Sequence, residues 1–100
     1  MQKFFGIGLT CGLFVASVGA HAFNGEQLAK NAKIGIAEAR SIALKAHPGK
    51  IVDEELEREA GGTGLRYSFD IRTGHATQEV GVDAHDGTVL ENKLEGPNPD

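Results

Sequence analysis

A chain of 100 residues has room for one domain at most. Its net charge of −4, from 14 acidic and 10 basic side chains with no basic cluster, argues against nucleic acid or an anionic membrane surface as partner. Cys11 is the lone cysteine, so no internal disulfide can staple the fold and a single apolar core must hold it.

In chain order, the first element is a leader. Lys3 supplies a positive start, residues 4–18 are mostly apolar, and Ala20-His21-Ala22 fits a small-x-small cleavage pattern. Residues 1–22 therefore read as a secretory signal peptide, cut before Phe23. The apolar run falls short of the ~20 residues a spanning helix needs. The expectation is a periplasmic or secreted protein with no membrane contact after cleavage. Residues 23–34, "FNGEQLAKNAKI", form a polar lead-in with weak helical character.

The stretch "GIAEARSIALKAH", residues 35–47, has helical spacing. Ile36, Ala39, Ala43 and Ala46 share a face, with Ile42 beside them. Gly35 serves as N-cap, Glu38 suits the positive end of the helix dipole, and Pro48-Gly49 stops the helix. A buried face made mostly of alanine can lie close to whatever it covers.

Residues 51–59, "IVDEELERE", are ambiguous: the glutamates favour helix, but Val52 and Leu56 fit one face of an acidic strand with Glu54 interrupting it. That places Glu54 toward the helix, where an unpaired carboxylate is costly. In "LRYSFDI", residues 65–71, Leu65, Tyr67, Phe69 and Ile71 alternate with polar residues, and Val80, Val82 and Ala84 alternate in the next run. Opposing Phe69 with Val80 also opposes Tyr67 with Val82 and Leu65 with Ala84, leaving Gly74-His75 as a two-residue loop between Thr73 and Ala76. Glycine first in such a loop is what a type II′ hairpin requires, so side-chain pattern and turn chemistry agree. A three-residue loop, His85-Asp86-Gly87, opposes Val82 with Leu90 and Ala84 with Thr88, and puts Gly87 in the left-handed position. For the first strand, a four-residue loop at 61–64 opposes Leu56 with Phe69, Glu59 with Arg66 and Asp53 with Arg72.

These elements predict an α+β fold: one helix packed on a three- to four-stranded antiparallel meander sheet, preceded by a signal peptide. The domain spans residues 35–94, and "EGPNPD", residues 95–100, reads as a disordered tail.

The Ala-rich helix ending at Pro48-Gly49, the acidic Glu55-Leu56-Glu57 strand, the Tyr67-bearing alternating strand and the run from Val80 through Val89 together resemble the PepSY family. The resemblance implies a secreted or cell-envelope domain. Such domains stand in the propeptides of secreted metallopeptidases, as inhibitors or folding aids, and also as free-standing exported proteins. This chain lacks a protease domain and the H-E-x-x-H pattern, so any inhibition would act in trans.

Chemistry-bearing residues are few. Outside the leader the serines are Ser41 and Ser68, neither next to a histidine, and no enzyme is expected. His75 and His85 lie at opposite ends of one strand, roughly 25–30 Å apart. His47 and His75 fall at the same end, and as a pair without a third ligand they give the alternative reading of a metal or small-ligand sensor. Asp83-x-His85-x-Gly87 departs from a calcium loop at its third position and places glycine one residue early, so it reads as a turn. No cofactor is expected. The favoured reading is a non-catalytic module that binds an envelope protein, such as a peptidase it regulates or inhibits, with Asp53, Glu55, Glu57 and Glu59 offering negative charge to that partner.

Overall fold

In the computed structural model, residues 23–95 are described. The leader predicted over residues 1–22 lies outside them, as does residue range 96–100 of the predicted tail. Helix α1 is Ile36–Ala46, and four strands follow: β1, Lys50–Arg58; β2, Leu65–Thr73; β3, Ala76–Asp83; β4, Val89–Leu94. They form one antiparallel sheet in the order β1-β2-β3-β4, a meander with β1 and β4 as its edges.

Gly35 caps α1 in extended conformation, and the helix closes at His47, whose N–H donates to the Ala43 carbonyl at 2.8 Å. Ala39 and Ala43 are fully buried against the sheet, beside Phe69, Ile71, Val80 and Val82, all at 0 % exposure. With no side chain beyond Cβ, the two alanines let the helix approach the aromatic residues closely. Ala46, expected on the same face, is exposed. The buried stripe ends at Ala43, and Leu44 packs at the core's margin together with Ile36 and Ile42.

The β2–β3 hairpin has the expected register: Tyr67 opposes Val82, Phe69 opposes Val80, and Thr73 opposes Ala76 around Gly74-His75, with Gly74 at φ 65°. Leu65 and Ala84 meet through a bond from the Ala84 N–H to the Leu65 carbonyl at 2.9 Å. At the next turn Gly87 takes φ 78°, but Val82 pairs with Val89 rather than Leu90. A register shift at Gly81/Val82 leaves Leu90 out of the ladder, while Gly81–Glu91 follows the expected alignment.

The first pairing departs further. Leu56 opposes Tyr67, Glu57 opposes Arg66, and Asp53 opposes Asp70, a shift of two residues from the sequence reading. The connection is longer than the loop expected at 61–64, with the Glu59 N–H bonded to the Gly64 carbonyl at 3.1 Å. A bulge between Ile51 and Asp53 then brings Ile51 opposite Ile71. Two apolar matches, Leu56–Tyr67 and Ile51–Ile71, thereby replace one. The bulge also turns Val52 outward, 43 % exposed, where the sequence suggested a core position. A two-residue shift preserves which face each side chain takes, so Glu54 does point to the helix side.

The lead-in packs against the domain. Glu26–Asn31 is a 3-10 helix. The Tyr67 hydroxyl donates to the Ile34 carbonyl at 2.9 Å, the N–H groups of Lys33 and Ile34 both reach the Ala84 carbonyl, and Phe23 meets the Tyr67 ring edge-on at 6.2 Å. The Leu56 N–H donates to the Asn24 carbonyl at 2.8 Å, and Asn24 bridges Glu55 in parallel, so the lead-in covers part of the β1 edge. Gly25, at φ 86°, passes so close that a Cβ there would stand 1.8 Å from the Leu56 carbonyl oxygen. Gly25→Ala is therefore expected to detach residues 23–31 from β1. The predicted loss is about 2 kcal/mol, from left-handed strain and a broken hydrogen bond. A lower urea midpoint and faster amide exchange at Leu56 would report it; unchanged exchange at Leu56 would contradict it.

Candidate partner-binding surface

The sheet face away from α1 carries the charge. Along β1, Asp53, Glu55 and Glu57 alternate onto it, opposite Asp70, Ser68 and Arg66. The Ser68 hydroxyl donates to Glu57 at 2.9 Å. Burial, then the neighbouring Glu57, Asp53 and Asp70, push the Glu55 carboxyl above its ordinary value. Among the described residues the ion pairs are Arg40–Glu54, Arg66–Glu91 and Lys93–Glu91, which leave Asp53, Glu55 and Glu57 without a cationic partner. Glu59 is exposed beyond the strand's end, and Arg66 stands opposite Glu57 rather than opposite Glu59. The structure thus brings together three of the four acidic residues singled out from sequence.

The acidic surface continues where the sequence reading did not follow it. Glu79 opposes Asp70 across β2–β3, and Glu91 and Glu95 lie beside it. Burial, a hydrogen bond with Glu95, and the charges of Glu91, Glu95 and Asp70 push the Glu79 carboxyl up to about 7. Two carboxyl groups can share a hydrogen bond only if one holds a proton, which the crowding of negative charge favours. The hairpin register read from sequence already opposes Asp70 with Glu79, so that signal was available.

Glu54 resolves differently. Its carboxylate takes a two-pronged contact from the helix: Arg40 Nη2 donates to Oε1 at 3.1 Å, and Arg40 Nε donates to Oε2. Beside this pair opens a groove of 640 Å³, lined by Phe23, Asn24, Arg40, Ile51, Val52, Asp53 and Glu54. It lies along the part of the β1 edge that the lead-in leaves uncovered.

The "DAHDG" segment is a tied turn. Asp83 is 1 % exposed. Its carboxylate accepts the Thr63 N–H and hydroxyl, each at 2.7 Å, and the His85 N–H at 2.8 Å. Burial alone would push this carboxyl up, but the bonds from Thr63, His85 and Asp86 outweigh it and hold it at about 2. The His85 ring lies 2.7 Å from the Thr63 hydroxyl and 2.8 Å from the Asn31 carbonyl, so the turn joins the β1–β2 loop to the lead-in. At the far end His47 Nε2 lies 3.4 Å from the Thr73 hydroxyl, and His75 is exposed in the adjoining turn. No group of three or more His, Cys, Asp or Glu among the described residues is arranged to hold a metal ion.

Asp83 and Glu79 act in opposite directions on stability. Asp83 contributes above the usual aspartate value of 3.8, and its contribution is lost as pH falls toward about 2. Glu79 holds its proton more tightly folded than unfolded, so its contribution is complete below 4.5 and lost as pH rises through about 7. The thermal midpoint should peak around pH 4–5 and decline toward pH 8, with Glu79→Gln flattening that decline. A midpoint that climbs from pH 5 to 8, unaltered by the substitution, would contradict the assignment.

Against known families, the chain matches the model for the PepSY family, "Peptidase propeptide and YPEB domain", over residues 33–93. The chain belongs to that family, whose domains are generally non-catalytic and typically extracellular or periplasmic. No curated protein and no solved structure gives a significant match. No described helix is long and apolar enough to cross a membrane.

Proposed function

We propose that this protein is an exported, non-catalytic binding module that regulates a cell-envelope or secreted peptidase in trans, presenting the acidic β1 edge to it. The observation that carries the reading is the row Asp53, Glu55 and Glu57, which lacks cationic partners among the described residues and in which burial, then the neighbouring charges, push up the Glu55 carboxyl. Carboxylates crowded in this way lose free energy to mutual repulsion, and a basic surface docked against them relieves it. The family's association with peptidase propeptides supports a peptidase as the partner.

The test uses the secreted and envelope peptidases of the source cell, assayed on a protein substrate with the chain added. Wild type is expected to lower peptidase activity. The charge-removed variant Asp53→Asn, Glu55→Gln, Glu57→Gln is expected to need about tenfold more protein for the same effect, and the wild-type effect should weaken with salt. Equal potency of variant and wild type, or no change in activity with either, would overturn the proposal.

A further inference from the structure

We infer that the groove beside β1 is a docking slot for one extended peptide segment with alternating apolar and basic side chains, added to the sheet through main-chain pairing at residues 51–54. The inference rests on the protein-binding reading above and names the kind of segment recognised.

Three observations carry it. First, the chain already adds extended backbone to this edge: Asn24 bridges Glu55 in parallel and accepts the Leu56 N–H. The groove continues that same edge, and Phe23 and Asn24 form one end of it. Second, the next outward backbone donor along β1 is held by a side chain acting as substitute. The Glu54 N–H donates to its own neighbour, the exposed Asp53 Oδ1, at 3.0 Å. An incoming carbonyl can take that bond at little cost, because water or the partner re-satisfies the freed carboxylate. Third, the bulge turns Val52 into the groove, where it is 43 % exposed beside Ile51 and Phe23. An apolar side chain left open on an edge strand is the opposite of the charges that normally protect such edges.

The alternation of a strand then sets the occupant's chemistry. Side chains pointing to the helix side meet Phe23 and Ile51, with the exposed Val52 at the groove's rim, and apolar residues fit there. Those pointing to the other side meet Asp53 and Glu55, which have no cationic partner, and lysine or arginine fits there. Arg40 is tied to Glu54 at the groove's wall, and this neutral pair offers a basic side chain no free carboxylate on the apolar side, which fixes the facing. The 640 Å³ volume lies within the ~300–1,000 Å³ span of ligand clefts.

The test titrates the isotope-labelled protein with an acetylated, amidated heptapeptide of alternating valine and lysine, followed by amide chemical shifts. Shifts are expected at Asn24, at residues 51–55 and at the Arg40 side chain. Replacing lysine by glutamate in the peptide, or N-methylating its lysine amides, should weaken binding by about tenfold or more. Val52→Lys should do the same while keeping the melting temperature, since the side chain is exposed. Val89→Lys, at 39 % exposure on the opposite edge, should change nothing. The inference is overturned if the glutamate peptide binds equally well, if the shifts fall on residues 89–94, or if residues 51–54 shift with protein concentration alone, which would assign the groove to a second copy. It is overturned too if residues upstream of Phe23 show contacts to the groove that the peptide does not displace. Failure of the peptide with peptidase regulation intact removes this slot and leaves the wider reading standing; peptide binding without any effect on peptidases does the reverse.

Discussion

Asp83→Ala is expected to destabilise the protein by about 3 kcal/mol, a shift of roughly 12–24 °C in melting temperature for a domain of this size. The carboxylate is the shared acceptor for the Thr63 N–H, the Thr63 hydroxyl and the His85 N–H, and it is 1 % exposed. Removing it strands those donors and releases the β1–β2 loop from the β3–β4 turn. Asp83→Asn keeps one oxygen but must place its amide nitrogen opposite a donor, either at Thr63 N–H or at His85 N–H. It should therefore cost about half as much, and it should abolish the loss of stability on acidification toward pH 2. Thermal melts of both variants between pH 2 and 7 check this. An Asp83→Asn protein as stable as wild type at pH 6 would contradict the role assigned to the charge.

Phe69→Ala is expected to cost about 3–5 kcal/mol, enough to leave much of a small domain unfolded at 37 °C. Phe69 is fully buried, opposes Val80, and stacks on Tyr67 with ring centroids 6.3 Å apart. The helix side of the core is short of large residues: α1 contributes Ala39 and Ala43 as its fully buried side chains. Alanines have nothing to extend into a void, so the cavity collapses poorly and the loss falls near the top of that range. Phe69→Leu, which retains most of the volume, should cost less than half as much. Urea unfolding of the two variants checks the ratio, and equal losses would show that the site is loosely packed.

The sequence revealed the centre of this molecule better than its margins. The β2–β3 hairpin was legible because two independent signals, apolar alternation and Gly74 in the loop, demanded one register. The helix was legible from its alanine spacing and from Pro48-Gly49. The β1 register was not, because the bulge between Ile51 and Asp53 adds a residue to one strand, and no local pattern in "IVDEELE" marks it. For the same reason Val52 was read inward when Ile51 takes that place. Glu54 was legible as a misplaced charge, but its partner Arg40 lies on another element, and only the docking of the helix brings them together. The groove shares that character: Phe23, Arg40 and Val52 meet through tertiary packing. The acidic row was half legible. Its composition is plain in the sequence, while the burial and crowding that push up Glu55 and Glu79 depend on how the sheet packs and which carboxylates face one another.

The most direct test of the account is a hydrogen-exchange footprint of the protein mixed with an envelope or secreted peptidase whose activity it lowers in the assay proposed above. Slowed exchange concentrated in β1, with Asn24 alongside, is the predicted result. Protection confined to β4 and the β3–β4 turn, with the amides of β1 exchanging as in the free protein, would contradict it.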